Sequence, residues 1–309
     1  MPSSPSAPQV SDRFPGPRRE DCPWCGSARL RTRLRGPRAV ALDECEACAH
    51  AFQNPRSPAD APSVSGRSHR ATARALAGLA DPESWLDVGT GHGHFPEAAR
   101  EFFPYTSFDG LDPTERVEGA LAEGRVEEAH RGLLTTPGVT DRLRARYDVV
   151  SMLHHLAHVP DPRAELRAAL AVLRPGGHLV IEAAAPDSAY ATLLGPHWLP
   201  HRHAHLLPLP NLEAELHALG CTVTTTARVH QPQDLSTTFP RLLRAPLTAA
   251  TALDHLLAPL TRRTRFASTY RVVARGPGRL HGQGLSFGSG RIRARCRTPR
   301  ARQDPNESP

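Results

Sequence analysis

The chain has 309 residues, 39% of them hydrophobic and 22% charged, with a net charge of +7, which suits one full α/β domain plus a small accessory module. No apolar run is long enough for a bilayer-spanning helix, and Met1 to Glu20 is rich in Ser, Pro and Arg without the apolar core of a signal peptide, so a cytoplasmic location is expected. The positive charge points only weakly to nucleic acid: there is no Lys and only three Asn, a GC-rich coding pattern, and much of the excess lies beyond Arg275 rather than on a folded face.

In chain order, residues 1–19 read as a disordered leader, 20–55 as a compact Cys-rich module, 56–66 as a Pro/Ser/Ala linker, 67–275 as the main domain and 276–309 as a disordered basic tail. A helix is expected over His69–Leu79. From Ser84 onward, short apolar runs alternate with helical stretches, the mark of a parallel sheet with crossover helices. The runs are Trp85–Val88, Ser107–Leu111, Tyr147–Leu153 and His178–Glu182, with a weaker one at Arg125–His130. Helices are expected at Phe95–Phe103, Thr114–Ala122, Arg163–Leu173 and Leu212–Leu219, and late strands at Thr222–Val229 and Thr269–Ala274. Between the late strands, Gln231–Arg265 carries a helical apolar pattern around Leu242–Leu260, which suits a lid or a homodimer face rather than a membrane anchor.

Four of the six cysteines form two pairs, Cys22-Pro-Trp-Cys25 and Cys45-Glu-Ala-Cys48, separated by nineteen residues; Cys221 and Cys296 stand alone. Two such knuckles can place four thiolates at the corners of a tetrahedron, which suits Zn²⁺. Gly26 can supply the positive φ that a knuckle needs. Four protein ligands leave no open position, so the zinc is expected to be structural, holding a module too small to be held by its core alone. A redox role for Cys22 and Cys25 lacks the preceding thioredoxin-like strand.

In Trp85-Leu-Asp-Val-Gly-Thr-Gly-His-Gly-His-Phe95, an apolar strand ends in a glycine-rich turn that opens a helix. Gly89, Gly91 and Gly93 remove side chains so that a ligand can lie against the backbone, and the following helix start favours a negative group such as a carboxylate. The dinucleotide fingerprint G-x-G-x-x-G is broken, because His94 holds its third glycine position; the pattern is D-x-G-x-G-x-G. Nineteen residues past Gly93, the strand Phe108-Asp-Gly-Leu-Asp112 ends in an acid able to accept hydrogen bonds from ribose hydroxyls.

On these motifs the chain resembles the class I S-adenosylmethionine-dependent methyltransferases over about Ser84 to Ala274. Their first motif is similar to Leu86–Gly93 and their ribose acid to Asp112. Their fourth motif is similar to Tyr147-Asp-Val-Val-Ser-Met-Leu-His-His-Leu-Ala-His-Val-Pro-Asp-Pro162, and a later segment to Leu173-Arg-Pro-Gly-Gly-His-Leu-Val-Ile-Glu182. The N-terminal ribbon running into Phe52-Gln-Asn-Pro55 resembles a bacterial subgroup. The resemblance implies a Rossmann-like, seven-stranded, mostly parallel sheet with flanking helices, plus the small N-terminal zinc ribbon. It also implies S-adenosylmethionine as cofactor, contacted by Asp87, Gly89, Gly91, Gly93, Asp112 and Met152. Two departures stand out: Ala157 occupies a place where relatives often have Glu, and Arg131-Gly-Leu-Leu134 lacks the acid that often contacts adenine.

Methyl transfer from a sulfonium is an in-line displacement, so the protein mainly aligns the reactants and excludes water, with a base helping a hydroxyl acceptor. Candidate bases cluster at His154, His155 and His158 after the fourth strand, and at His197, His201, His203 and His205 after the fifth, the latter beside Trp198 in a segment resembling the family's substrate cap. Each imidazole could equally be a hydrogen-bonded or surface group; His158 and His205 are the candidates for a catalytic role. His92 and His94 read as variable loop positions. A small-molecule methyl acceptor is the leading expectation. The alternatives are an RNA methyltransferase docking through the ribbon, disfavoured by scattered Arg and the absence of interleaved aromatics, and a non-catalytic scaffold, disfavoured by the intact glycines.

Overall fold

The computed structural model describes residues 17–35, 41–56, 66–79, 81–188, 204–229 and 267–278. The expected leader up to residue 16, most of the linker, the histidines at 197, 201 and 203, the 231–265 segment and most of the tail lie outside the described residues.

The N-terminal module contributes β1 (Leu30–Arg35), β2 (Ala41–Cys45) and β3 (Ala51–Gln53), all antiparallel. A helix α1 (Gly66–Leu76) precedes the main sheet. That sheet is built from β4 (Ser84–Val88), β5 (Ser107–Asp112), β6 (Ala129–Arg131), β7 (Tyr147–Leu153), β8 (Leu173–Ala184), β10 (Thr222–Val229) and β11 (Thr269–Arg275). The intervening strand β9 (His205–Leu206) pairs instead with β3, so the N-terminal module is a four-stranded sheet whose last strand comes from the far side of the sequence.

The main sheet has the order β10-β11-β8-β7-β4-β5-β6. Its strands are parallel from β8 to β6, while β11 runs antiparallel to both of its neighbours. The order reverses between β4 and β7, and in such sheets the crevice beyond the strand carboxyl ends at the switch point is where ligands bind. Helices α2 (His94–Ala99), α3 (Arg116–Ala122), α4 (Val139–Leu143), α5 (Pro162–Val172) and α6 (Leu209–Ala218) make the crossovers.

The central strands are buried on both faces, which is why they read as continuous apolar runs. Alternate residues feed two cores. Trp85, Phe108, Val149, Val180 and Val273 pack against Ala73 and Leu76 of α1 and Phe95 and Ala99 of α2. Leu86, Val88, Leu111, Val150, Met152 and Ile181 face Leu166, Ala169 and Val172 of α5 and Leu212 and Leu216 of α6. This second core also takes in Cys22, Trp24 and Cys45 of the ribbon. In α5 the apolar residues fall on one stripe, and the helix starts one residue before the expected Arg163: Asp161 accepts hydrogen bonds from the N–H groups of Arg163 and Ala164, and Pro162 opens the first turn.

Several expected elements shift: α1 and α6 each begin three residues early, at Gly66 and Leu209, and α3 begins two residues late, at Arg116. The helix after the glycine loop ends at Ala99 rather than Phe103, and the third strand forms at Ala129–Arg131 instead of Arg125–His130, because Arg125 N–H still caps α3 through Ala120 O. The fifth strand begins at Leu173, five residues before His178, with a register irregularity absorbed by Gly176 at φ 79° and by Gly177, where a Cβ would lie 2.8 Å from Asp148 O. The short β9 has no periodic signal at all. Among the described residues no helix is long and apolar enough to cross a membrane.

Trp85 is fully buried among Phe95, Phe103 and Phe108, and its indole N–H donates to Ser151 Oγ at 2.9 Å. Trp85→Ala is expected to lower unfolding free energy by about 3–5 kcal/mol in urea titrations; a loss under about 0.5 kcal/mol, typical of surface changes, would contradict the assignment of this core.

Candidate functional site

β4 delivers the chain into the loop Gly89–Gly93, and the three glycines have φ of 79°, 54° and 73°. Their reasons for being glycine differ. At Gly89 a Cβ would lie 2.6 Å from His155 Nδ1, and at Gly93 it would meet the Cβ atoms of Ala120 and Arg125 at 3.0 Å, so protein packing excludes side chains there. At Gly91 nothing among the described residues lies within 4 Å of such an atom. The middle of the loop therefore offers a bare backbone face to an incoming ligand.

The loop is pinned to the end of β5. Gly89 N–H donates to Leu111 O at 2.7 Å, and Gly91 N–H donates to Asp112 Oδ2 at 3.0 Å. Asp112 Oδ1 accepts from the N–H and hydroxyl of Thr114 at 2.9 and 2.5 Å. The glycines and the acid singled out in the sequence thus meet directly. Asp87 lies beneath them, fully enclosed. Its Oδ1 accepts from Ser151 Oγ at 2.6 Å, and burial pushes its carboxyl up to about 6 against the lowering effect of that bond. Met152 is likewise buried, paired with Ile181 of β8 in the core below the loop.

After β7 the chain turns sharply. His154 has φ 61° and His155–Ala157 form a single 3-10 turn. His155 Nε2 lies 3.0 Å from Glu165 Oε1 of α5. The same carboxylate accepts from Leu134 N–H at 2.9 Å and from Thr135 N–H and Oγ1 at 3.1 and 2.9 Å. Burial alone would raise Glu165, but the His155 ring and these donors hold its carboxyl below the usual range. The stretch after β6 thus lacks an acid of its own but is gripped by one from α5. Glu165 was missed from sequence because it reads as an ordinary first-turn helix acid.

A second buried network lies at the same end of the sheet. Glu182 Oε1 accepts from Thr72 Oγ1 at 2.9 Å and Arg271 Nε at 2.6 Å, and Arg271 Nη2 reaches Thr72 Oγ1 at 2.9 Å. Its hydrogen bonds satisfy charges that burial would otherwise make costly. It joins α1, β8 and β11, and His154 N–H donates to Glu182 O at 2.8 Å beside it. In sequence, Glu182 closes the apolar run His178–Glu182, whereas Arg271 interrupts the run Thr269–Ala274.

The two candidate catalytic histidines part company. His158 is half-buried on the turn after β7, where its carbonyl accepts from Arg56 Nη2 at 2.6 Å. His205 is buried in β9, stacked on His50 with ring centroids 5.3 Å apart, and its Nε2 lies 3.0 Å from Val159 O. Burial pushes its pKa well below the ordinary value, and because a carbonyl can only accept, Nε2 is the donor to Val159 O.

In the ribbon, the thiol sulfurs of Cys22, Cys25, Cys45 and Cys48 all lie within 4.8 Å of one another, with Cys22–Cys48 at 3.7 Å and Cys25–Cys45 at 3.6 Å. A tetrahedron with Zn–S bonds of about 2.3 Å has edges of about 3.8 Å, so the four residues fit Zn²⁺. The two knuckles close alike: Gly26 N–H bonds Cys22 O and Ala49 N–H bonds Cys45 O, both at 2.8 Å, with Gly26 and Ala49 at positive φ. His50, which sequence reading overlooked, stands behind the cluster with Nδ1 3.7 Å from Cys22 Sγ. The other metal-like group among the described residues, Asp109, Glu128 and His130, has Arg146 against both acids and Tyr147 OH on Asp109, which makes it an ion-pair network.

A family model described as a methyltransferase domain matches residues 64–226, more than half of the chain. A ubiquinone biosynthesis O-methyltransferase from Alkalilimnicola ehrlichii is 34% identical over 131 residues, covering 41% of this chain and 52% of that protein. One of the same name from Serratia proteamaculans is 36% identical over 96 residues, covering 30% and 39%. The chain thus spans about half the length of the curated relatives it matches. Among solved structures, a chain of the complex between the Haloferax volcanii Trm112 methyltransferase activator and a methyltransferase superposes with TM-score 0.50 at 18% identity, covering 69% of this chain and 90% of that one, a likeness of fold.

Two measurements check the loop. Gly89→Ala is expected to cost about 1–3 kcal/mol through the His155 clash in addition to the left-handed backbone strain, which is all that Gly91→Ala incurs; equal urea midpoints for the two variants would refute this packing. Because the folded-state pKa of Asp87 is raised to about 6, the folded protein holds an extra proton between about pH 4 and 6, so stability falls as pH rises through that window. Asp87→Asn is expected to remove this slope. An unchanged pH profile of the unfolding midpoint would show Asp87 to be solvated.

Proposed function

The chain belongs to the methyltransferase-domain family, and from that premise we propose that it transfers a methyl group from S-adenosylmethionine to a small-molecule acceptor at O, C or N. The observation that carries this reading is the open backbone face at Gly91 set directly against the Asp112 carboxylate. The N–H groups of Gly91 and Thr114 orient that carboxylate, one on each oxygen. A lone pair remains on Oδ2 for a ribose hydroxyl, and rotation of the Thr114 hydroxyl frees another. The adenine side is assigned to Leu134 and Thr135, whose backbone Glu165 holds in place.

S-adenosylmethionine, when bound, supplies a methyl group already activated by the sulfonium charge. The chain's task is alignment and exclusion of water. His158, half-buried on the turn after β7, is assigned to take the proton of a hydroxyl acceptor. His205 is assigned a positioning role, since its Nε2 is committed to Val159 O. The relatives named for ubiquinone biosynthesis favour a small organic acceptor and O-methylation. The four thiolates of the ribbon would hold Zn²⁺ as a structural ion, with no ligand position left for substrate.

The test is calorimetric titration with S-adenosylhomocysteine, followed by transfer of a labelled methyl group to a panel of phenols, amines and RNA. Binding by the parent is expected, with about 10- to 100-fold weaker binding for Asp112→Ala, the loss of a hydrogen bond to a charged group. Absence of binding would favour a non-catalytic scaffold, and labelling of RNA alone would overturn the small-molecule reading. With an acceptor in hand, His158→Gln is expected to lower kcat by about 100-fold or more, the loss shrinking as pH rises. A pH-independent loss would deny it the role of base.

A further inference from the structure

The ribbon is tied to the main domain at its metal knuckles. Trp24 O, inside the first knuckle, accepts from Arg163 Nη1 of α5 at 2.9 Å, and the same guanidinium lies 5.7 Å from the Trp24 ring centroid and pairs with Glu215 of α6. Cys48 O, in the second knuckle, accepts from Asn211 Nδ2 of α6 at 2.7 Å. Behind the knuckles, His50 stacks on His205.

From the ribbon a ladder of backbone bonds leads into the turn that carries His158. Gln53 N–H donates to Ala204 O at 2.9 Å, and Ala204 N–H donates to Ala157 O at 2.8 Å. β9 continues the ladder through the pairs Ala51 with Leu206 and Phe52 with His205. Tyr270 OH on Leu207 O, at 2.8 Å, ties the other end to β11. Arg56, just past β3, closes on His158 O. An isolated two-residue strand has no stability of its own. β9 is strand only because β3 lies beside it, and β3 is held by the cysteine knuckles.

We infer that zinc in the ribbon fixes the acceptor side of the methyl-transfer site: the loaded knuckles hold β3, β3 holds β9, and β9 holds the turn 154–158. The inference rests on the methyl-transfer reading for what the turn does, but its physical content is a coupling between the four-cysteine cluster and residues 155–159 and 204–207. The glycine loop and Asp112 belong to β4 and β5, on the other side of the switch point, and their hydrogen bonds run to one another and to Thr114 rather than to the ribbon. Metal loss therefore loosens the acceptor side and spares the cofactor side.

The full chain is compared with zinc loaded and after chelation, using hydrogen exchange read by peptide mass spectrometry, with S-adenosylhomocysteine titrated into both forms. Zinc removal is expected to speed exchange about tenfold or more in peptides covering 155–159 and 204–207. Peptides covering 107–112 are expected to keep their protection, and cofactor-product affinity to stay within about twofold. Asn211→Ala, which keeps all four cysteines, is expected to retain its zinc by metal analysis and to show part of the same loosening at 204–207. Unchanged protection of 204–207 after zinc removal would overturn the coupling, and so would an equal loss at 107–112, which would make zinc only a global stabiliser. Loss of S-adenosylhomocysteine binding on chelation alone would likewise overturn the coupling as drawn, whereas failure of both forms to bind would strike the methyl-transfer reading instead, leaving the exchange result to decide the coupling.

Discussion

The contact between the Gly91 amide and the Asp112 carboxylate governs the site. It joins the ends of two neighbouring parallel strands at 3.0 Å and can form only if the loop between β4 and α2 lies flat across β5. That requires the left-handed backbone at Gly89, Gly91 and Gly93. It also requires Gly110, where a Cβ would come within 2.7 Å of the Thr90 methyl. A side chain at any of these positions must either strain the backbone or lift the loop. The arrangement therefore places a fixed carboxylate beside an exposed backbone bend, before any ligand arrives.

Around this contact the buried acids divide the labour. Asp87 spans β4 and β7 under the loop, Glu165 grips the stretch after β6, and Glu182 locks α1 to β8 and β11. Each satisfies donors that an apolar interior would leave unpaired, so each fixes one of the elements that meet at the carboxyl ends of the strands. His155 belongs to the same scheme. Its ring fills the space that Gly89 vacates and hydrogen-bonds Glu165, so α5 anchors this one residue beside the glycine loop independently of the ribbon.

What was legible in the sequence was whatever repeats a local physical rule. Apolar runs gave the central strands, the helical stretch expected over Arg163–Leu173 matches α5 to within one residue, and two C-x-x-C pairs gave the four-cysteine cluster. The glycine spacing and Asp112 announced a contact that the structure places at hydrogen-bond distance. What could not be read depends on the meeting of distant segments. Glu165 looks like any first-turn acid until Leu134 and Thr135 are laid against it. His205 looks like a cap histidine until β9 is seen pairing with β3, from far earlier in the chain. Strand pairing over such a separation has no local signature, which is why the ribbon reads as an appendage in sequence and as part of the main domain in the fold.

The bare face of the loop at residue 91 is where the cofactor is proposed to lie. Gly91→Arg introduces a side chain into space that the described residues leave open, at the cost of left-handed backbone strain, and S-adenosylhomocysteine affinity can be measured on the purified variant alongside its circular dichroism. A native-like spectrum with binding reduced beyond detection is the expected result. Binding as tight as that of the parent protein would mean that the ligand lies elsewhere, and the proposed cleft would have to be abandoned.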